Sequence, residues 1–165
     1  MSSYVTIQEA QDYFTNRLHS GLWDNTSVQN RQKALAEATA AIDRLRFVGD
    51  KNTVYVSRLA GGDDDALTAA FVAQELEFPR GTDEDIPSDI IAACCEEAFS
   101  RLDGKDPDEE LENLAVSNQG YASVRTTYDR SFVHEHLNAG IVSPRAWRFL
   151  KPYLDEVRDF KISRV

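Results

Sequence analysis

Apolar residues recur at intervals of three and four along most of this chain, the spacing of one face of an α-helix. Ile7, Ala10, Tyr13, Phe14 and Leu18 form the first such stripe. Thr6 with Glu9 makes a capping box ahead of it, so the pattern predicts a helix from Ile7 to about Leu18, closed by His19-Ser20-Gly21. Leu22 and Trp23 follow in a predicted loop, where an apolar pair implies a loop pinned to the core. Thr26 with Gln29 reads as a second capping box. The helix behind it is expected to reach about Phe47, with Leu35, Ala38, Ile42 and Leu45 on one face and Gly49 as a left-handed cap. Ala34, Ala38 and Ala41 leave room for a second helix to approach closely.

Residues 50–76 break this regularity and read as an insertion. Val54, Tyr55 and Val56 suggest a short strand or extended piece. Gly61-Gly62 is a turn, and Asp63 to Asp65 cap a short helix from Ala66 to about Glu75. After the break at Phe78-Pro79-Arg80, Pro87 suits the first turn of a helix to Leu102, with Ile90, Ile91, Cys94, Ala98 and Leu102 inward and Gly104 ending it. Asp106-Pro107 opens a short acidic helix to about Leu114. From Gly120 the period shortens: Val124, Thr126 and Tyr128 alternate like a strand, and Ser131 to Ile141 reads as a loop or hairpin return. Ser143-Pro144 starts a last helix to about Leu154, with Trp147, Leu150 and Leu154 inward. The expected fold is mainly α: a bundle of about four to five helices, with a small β hairpin or extended loop within 116–142 and an extended C-terminal arm. One helical domain spans 1–154 and the arm spans 155–165.

Charge changes the picture more than composition does. The 165 residues carry a net charge of −10. Residues 51–115 hold 17 acidic and 5 basic side chains, whereas 116–165 hold 5 acidic and 8 basic. Tight binding to a phosphate backbone needs clustered Lys and Arg, so an acidic chain is a poor candidate for it. Opposite charge at two ends of one subunit suits head-to-tail contact between copies, although a solvated acidic surface explains the charge equally well. No apolar run approaches the roughly 20 residues that span a bilayer, and Met1 to Tyr4 lack the basic-then-apolar order of a signal peptide. Cys94 and Cys95 are adjacent, so they diverge on a helix and are expected as two buried thiols in a reducing cytoplasm.

The candidate chemistry is thin. His134 and His136 would share one face of a strand, but two ligands make an incomplete metal site. Asp63-Asp64-Asp65 lacks the alternating ligands of a calcium loop, and a helix N-terminus explains it better. Glu96 and Glu97 diverge on a helix, and a helix surface accounts for them. Gly61-Gly62 is followed by no Lys-Ser or Lys-Thr, and no nucleophile elbow is present. Tyr4, Trp23 and Phe78 could stack bases, yet they sit at core spacing among acidic residues. The sequence therefore implies neither an enzyme nor a cofactor or metal.

The array Tyr4, Ala10, Tyr13, Phe14, Trp23, Ala34, Leu35, Ala38, Thr39, Ile42, Asp43, Phe47 and Gly49 resembles the start of the head–tail connector proteins of tailed phages, also called adaptor or head-completion proteins. Leu76-Glu77-Phe78-Pro79-Arg80 is similar to that family's Phe-Pro-Arg break. Ile86-Pro87 with Ile90, Ala93, Glu96 and Ala98 is similar to its third main helix, and Trp147, Leu150, Pro152 and Tyr153 fit its ending. The resemblance covers most of residues 4–103 and 121–154; residues 50–75 depart from it by their length. Tyr4, Trp23, Asp43, Phe78, Pro79, Arg80 and Pro87 carry it as structural positions. It implies a non-enzymatic virion protein, made in the host cytoplasm and placed in the neck at the portal vertex. There such proteins form a ring, typically of twelve copies, that extends the DNA channel and meets the portal and a tail or stopper protein. Some relatives carry a single-strand-binding label, so a single-stranded-DNA-binding or replication-accessory protein is the alternative.

Two expectations follow from combining the residues with the resemblance. DNA must slide through such a ring without being gripped, so acidic residues are expected at the lumen: Asp83, Glu84 and Asp85, and Asp108, Glu109, Glu110 and Glu112. In the arm, Arg158, Phe160, Lys161, Ile162 and Arg164 alternate basic and apolar, a pattern suited to lying along a partner, here the portal.

Overall fold

The computed structural model describes the backbone of residues 2–115, 118–121, 124–127 and 133–155, and the side chains of 2–113 and 133–155. The protein is mainly helical. The capping box at Thr6 and Glu9 forms as expected and opens α1, Ile7–Thr15. This helix stops a turn earlier than its apolar stripe. His19 takes a positive φ of 61° and turns the chain, which leaves Leu18 84% exposed and off the core face. The predicted Trp loop is a single helical turn, α2, Gly21–Asp24. The Thr26 hydroxyl donates back to Leu22 O at 2.7 Å instead of capping the next helix. Ser27 takes that role, accepting from the Asn30 amide, and opens α3, Val28–Ile42.

α3 ends at Ile42, short of Phe47. The chain leaves the helix because Phe47 is buried and forms an isolated antiparallel bridge with Leu154. Gly49 does take a positive φ of 81°, but as a turn well beyond the helix end. Residues Val54 to Val56, expected as a strand, lie in α4, Asn52–Leu59. Tertiary packing overrides their β propensity: Val54 is buried, and the Thr53 hydroxyl bonds Ala70 O on the neighbouring helix at 2.7 Å. Gly61 turns at φ 77° and Asp63 caps α5, Asp64–Ala73, close to the predicted helix. The 50–76 segment is thus a helical hairpin.

α6, Ser88–Leu102, is the centre of the core, and α3 and α9, Pro144–Leu150, pack against it. Pro87 is its N-cap rather than its first turn. The small residues act as expected. Ala34 and Ala38 of α3 and Ala93 and Ala98 of α6 are buried, and Cys94 Sγ lies 3.5 Å from Thr39 Oγ1. Trp23 stacks on Phe14 with ring centroids 4.5 Å apart, and Phe99 of α6 closes this aromatic group.

α7, Pro107–Ala115, follows the Gly104 turn. β1, Asn118–Tyr121, pairs antiparallel with β2, Val124–Thr127, so among the described residues the strand partner precedes β2 in sequence. Within the predicted return of 131–141 the chain forms a helical turn, α8, Glu135–Asn138. α9 ends at Leu150 and tightens into a 3-10 turn at Lys151–Tyr153, since Pro152 has no amide to continue the α pattern. Val48 N donates to Tyr153 O at 2.9 Å and Asp155 N to Arg46 O at 3.0 Å. The last described residues are therefore tied to the segment after α3. The described residues hold nine helices, against the four to five expected; α2 and α8 are single turns.

Candidate functional site

Tyr4, Asp43, Phe47, Phe78 and Arg80, among the residues that carried the resemblance, converge on one junction, whereas Trp23 packs on Phe14. Tyr4 enters ahead of α1, Asp43 caps α3, and Glu77 to Arg80 leave α5. The Tyr4 hydroxyl donates to Asp43, and the Glu77 amide reaches Asp43 Oδ1 at 3.2 Å. Phe78 sits edge-on to Tyr4, Phe47 and Tyr153, at centroid distances of 6.1, 4.7 and 5.6 Å. The Phe78–Pro79 peptide is cis. Arg80 spreads its guanidinium over the 47–49 turn, donating to Val48 O at 3.1 Å, Phe47 O at 3.2 Å and Gly49 O. It also pairs with Glu77. Burial pushes the Asp43 carboxyl above its ordinary value, against the hydrogen bond from Tyr4. Burial, and then Asp43, raise the Tyr4 phenol so that it stays protonated.

This junction is the root of the α4–α5 hairpin. Lys51 is buried at the start of α4, 3.3 Å from Glu77 Oε1, 3.1 Å from Gln74 O and 4.4 Å from the centre of the Phe71 ring. Asn52 and Gln74 add bonds to Gly81 O, Asp83 O and Pro79 O. Beyond the root, α4 and α5 find their main helical contact in each other. α5 has no buried residue, although Ala66 to Ala73 are apolar except for Thr68. Leu59 is 71% and Val72 75% exposed, and Val56 and Phe71 are more than half exposed. A helix that is apolar nearly all round normally lies inside a protein. This hairpin holds such a helix at the surface.

A second polar group lies at the other end of α1. Glu96 is buried and accepts from Arg17 at 2.7 and 2.9 Å, from Tyr13 at 2.8 Å and from Arg145 at 3.2 Å. Burial pushes its carboxyl up, but the bonds from Arg17 and Tyr13 outweigh that and hold it below its ordinary value. Glu97 is fully buried and accepts the amides of Val142 and Ser143 and the guanidinium of Arg101. The surface placement expected for both glutamates is thus corrected. They are internal ties that fasten α9 and the chain before it to α6.

Asp83, Glu84, Asp85, Asp108, Glu109, Glu110 and Glu112 are all exposed. Trp23 is buried, its indole donating to Gln11 Oε1 at 3.2 Å, and Tyr4 and Phe78 are buried too. His134 caps α8 rather than lying along a strand, with its ring 5.5 Å from that of His136, and His136 Nδ1 is 2.9 Å from Ile141 O. Arg158, Phe160, Lys161, Ile162 and Arg164 lie outside the described residues. Among the described residues, no helix is long and apolar enough to cross a membrane.

No family model, curated protein or solved structure matches this chain.

The exposed hairpin face was missed in the sequence, although its signal was present. Ala66-Leu67-Thr68-Ala69-Ala70-Phe71-Val72-Ala73 has too little polar surface for a helix facing water.

Proposed function

We propose that this chain is a structural subunit of a tailed-phage neck, forming a ring beneath the portal and joining head to tail. It would contribute packing surfaces rather than chemistry. The observation that carries the reading is the α4–α5 hairpin. Its exposed apolar face needs a protein to cover it, and the ionic junction at its root fixes it to the body. The resemblance residues Tyr4, Asp43, Phe78 and Arg80 support the same reading, because they build that junction. The exposed carboxylates at 83–85 and 108–112 supply acidic surface suited to a channel through which DNA slides. The single-strand-binding reading is weakened, since the aromatics that would stack bases are packed inside.

Electron microscopy of phage particles assembled without this protein tests the proposal. Separate heads and tails, or heads that lose their DNA, are the expected result. Complete joined virions would remove the protein from the neck and leave the replication reading in front.

A further inference from the structure

The hairpin face has a complement on the same molecule, at the other end of α1. The hairpin root packs beside Tyr4, just before α1. At the far end of α1 an open groove of about 640 Å3 is lined by Tyr13, Arg17, Leu18, His19, Phe99 and Arg145. The nine residues of α1 separate the two by roughly 14 Å along the helix axis. Leu18 is the most exposed large apolar residue among those described. Arg145 is half-exposed and shares Glu96 with Arg17, so two guanidiniums face one carboxylate. Arg148 stands exposed one turn along the same face of α9. The hairpin presents the opposite: Leu59 and Val72 are apolar and exposed, and the exposed Asp63, Asp64 and Asp65 lie at its tip.

We infer that the α4–α5 hairpin of one copy docks on the Leu18–Arg145 groove of a second copy, apolar face on Leu18 and aspartate tip beside Arg145 and Arg148. The contact is heterologous: each copy offers a hairpin on one side and a groove on the other, so copies add head to tail and close as a ring or continue as a filament. Charge complementarity selects the occupant. A different protein would have to reproduce both an apolar ledge and its basic rim, which this chain already carries. The inference rests on the ring-subunit reading for self-association, but it names the two faces.

The test uses the full chain with single engineered cysteines. Cys94 and Cys95 are fully buried and give no background. Chains bearing Leu18→Cys and chains bearing Val72→Cys, one of them carrying a mass tag, are mixed and treated with a short bismaleimide. The expected product is a mixed Leu18→Cys/Val72→Cys dimer, and a ladder of higher species when one chain carries both changes. Asp64→Arg with Asp65→Arg should cut the mixed dimer about tenfold, and Arg148→Asp on the partner chain should restore it. Val72→Cys chains joining only to each other would overturn the inference, as would an absence of mixed dimer at millimolar protein. Failure here with separate heads and tails in particles lacking the protein sinks the pairing of faces and leaves the neck reading standing. Mixed dimers alongside intact virions do the reverse.

Discussion

Glu97 shows how much depends on single buried charges in this protein. Its carboxylate satisfies two backbone amides and Arg101 inside the core. Removing it leaves two buried amide donors unpaired and Arg101 with only Gly140 O, a defect that costs about 3–5 kcal/mol when a buried pair is broken. Glu97→Ala should therefore lower the urea midpoint sharply, whereas Arg145→Ala, at a half-exposed partner of Glu96, should cost under about 1 kcal/mol; urea unfolding measures both. Glu96 also sets an acid limit. Its carboxyl is held low in the fold and ordinary in the unfolded chain, so the unfolded chain takes up the proton first. The stability it contributes is full above the ordinary carboxylate range and is lost as pH falls through the folded value. Asp43 has the opposite sign: raised by burial, it contributes below the ordinary range and loses that contribution as pH rises through its folded value. Glu96→Gln should flatten the fall in urea midpoint on the acid side; an unchanged slope would contradict the role given to its hydrogen bonds. The Cys94 thiol, pushed up to about 12 by burial, and Cys95, raised further by burial, should resist maleimide until the chain unfolds.

At the scale of elements, the hairpin behaves as a unit held at one end. Lys51 ties α4 to Glu77 and Gln74, while the helices beyond it pack on each other. Lys51→Ala leaves Glu77 with one cation and Gln74 O without its donor, a local loss of roughly 1–3 kcal/mol. Amide exchange in 52–73 should then accelerate about tenfold to a hundredfold while α3 and α6 keep their protection. Equal acceleration in α6 would show that the hairpin is part of the global folding unit. Gly62 closes the far end: a Cβ there would lie 2.6 Å from Ser57 Oγ and 3.0 Å from Ser57 O. Gly62→Ala should loosen the same amides from the tip rather than the root. Of the helices that the sequence announced clearly, α1 has the predicted cap, and α3 and α6 keep their predicted buried stripes although their N-terminal residues differ from those expected. α4 was misread because Val54, Tyr55 and Val56 favour strands in isolation, and only the partner helix α5 decides otherwise.

For the whole molecule, the distribution of charge matters more than its sum. The acidic middle places exposed carboxylates at 83–85 and 108–112, so DNA affinity should be negligible and insensitive to salt. Fluorescence anisotropy with single- and double-stranded oligonucleotides at low and high salt checks this, and a steep salt slope would favour the replication reading. A chain ending at Asp155 keeps every described contact of the Phe47–Leu154 bridge and should unfold at the same urea concentration as the full protein. On the neck reading, the same truncation abolishes binding to a portal in a pull-down; retained binding would move the portal contact elsewhere.

Local and periodic information determined the helical class, the capping box at Thr6 and Glu9, the α3–α6 core stripe with its small residues, and the hairpin turn at Gly61. These depend on neighbours within a few positions, which a sequence displays directly. What depends on distant partners was decided only in three dimensions. Glu96 and Glu97 look like a solvated helix face until Arg17, Arg145 and the Val142–Ser143 amides arrive from elsewhere in the chain. Leu18 looks internal until His19 turns the backbone away. The apolar α5 looks like core until the Lys51–Glu77–Arg80 junction holds it outside, because burial is a property of what packs against a helix and not of the helix alone.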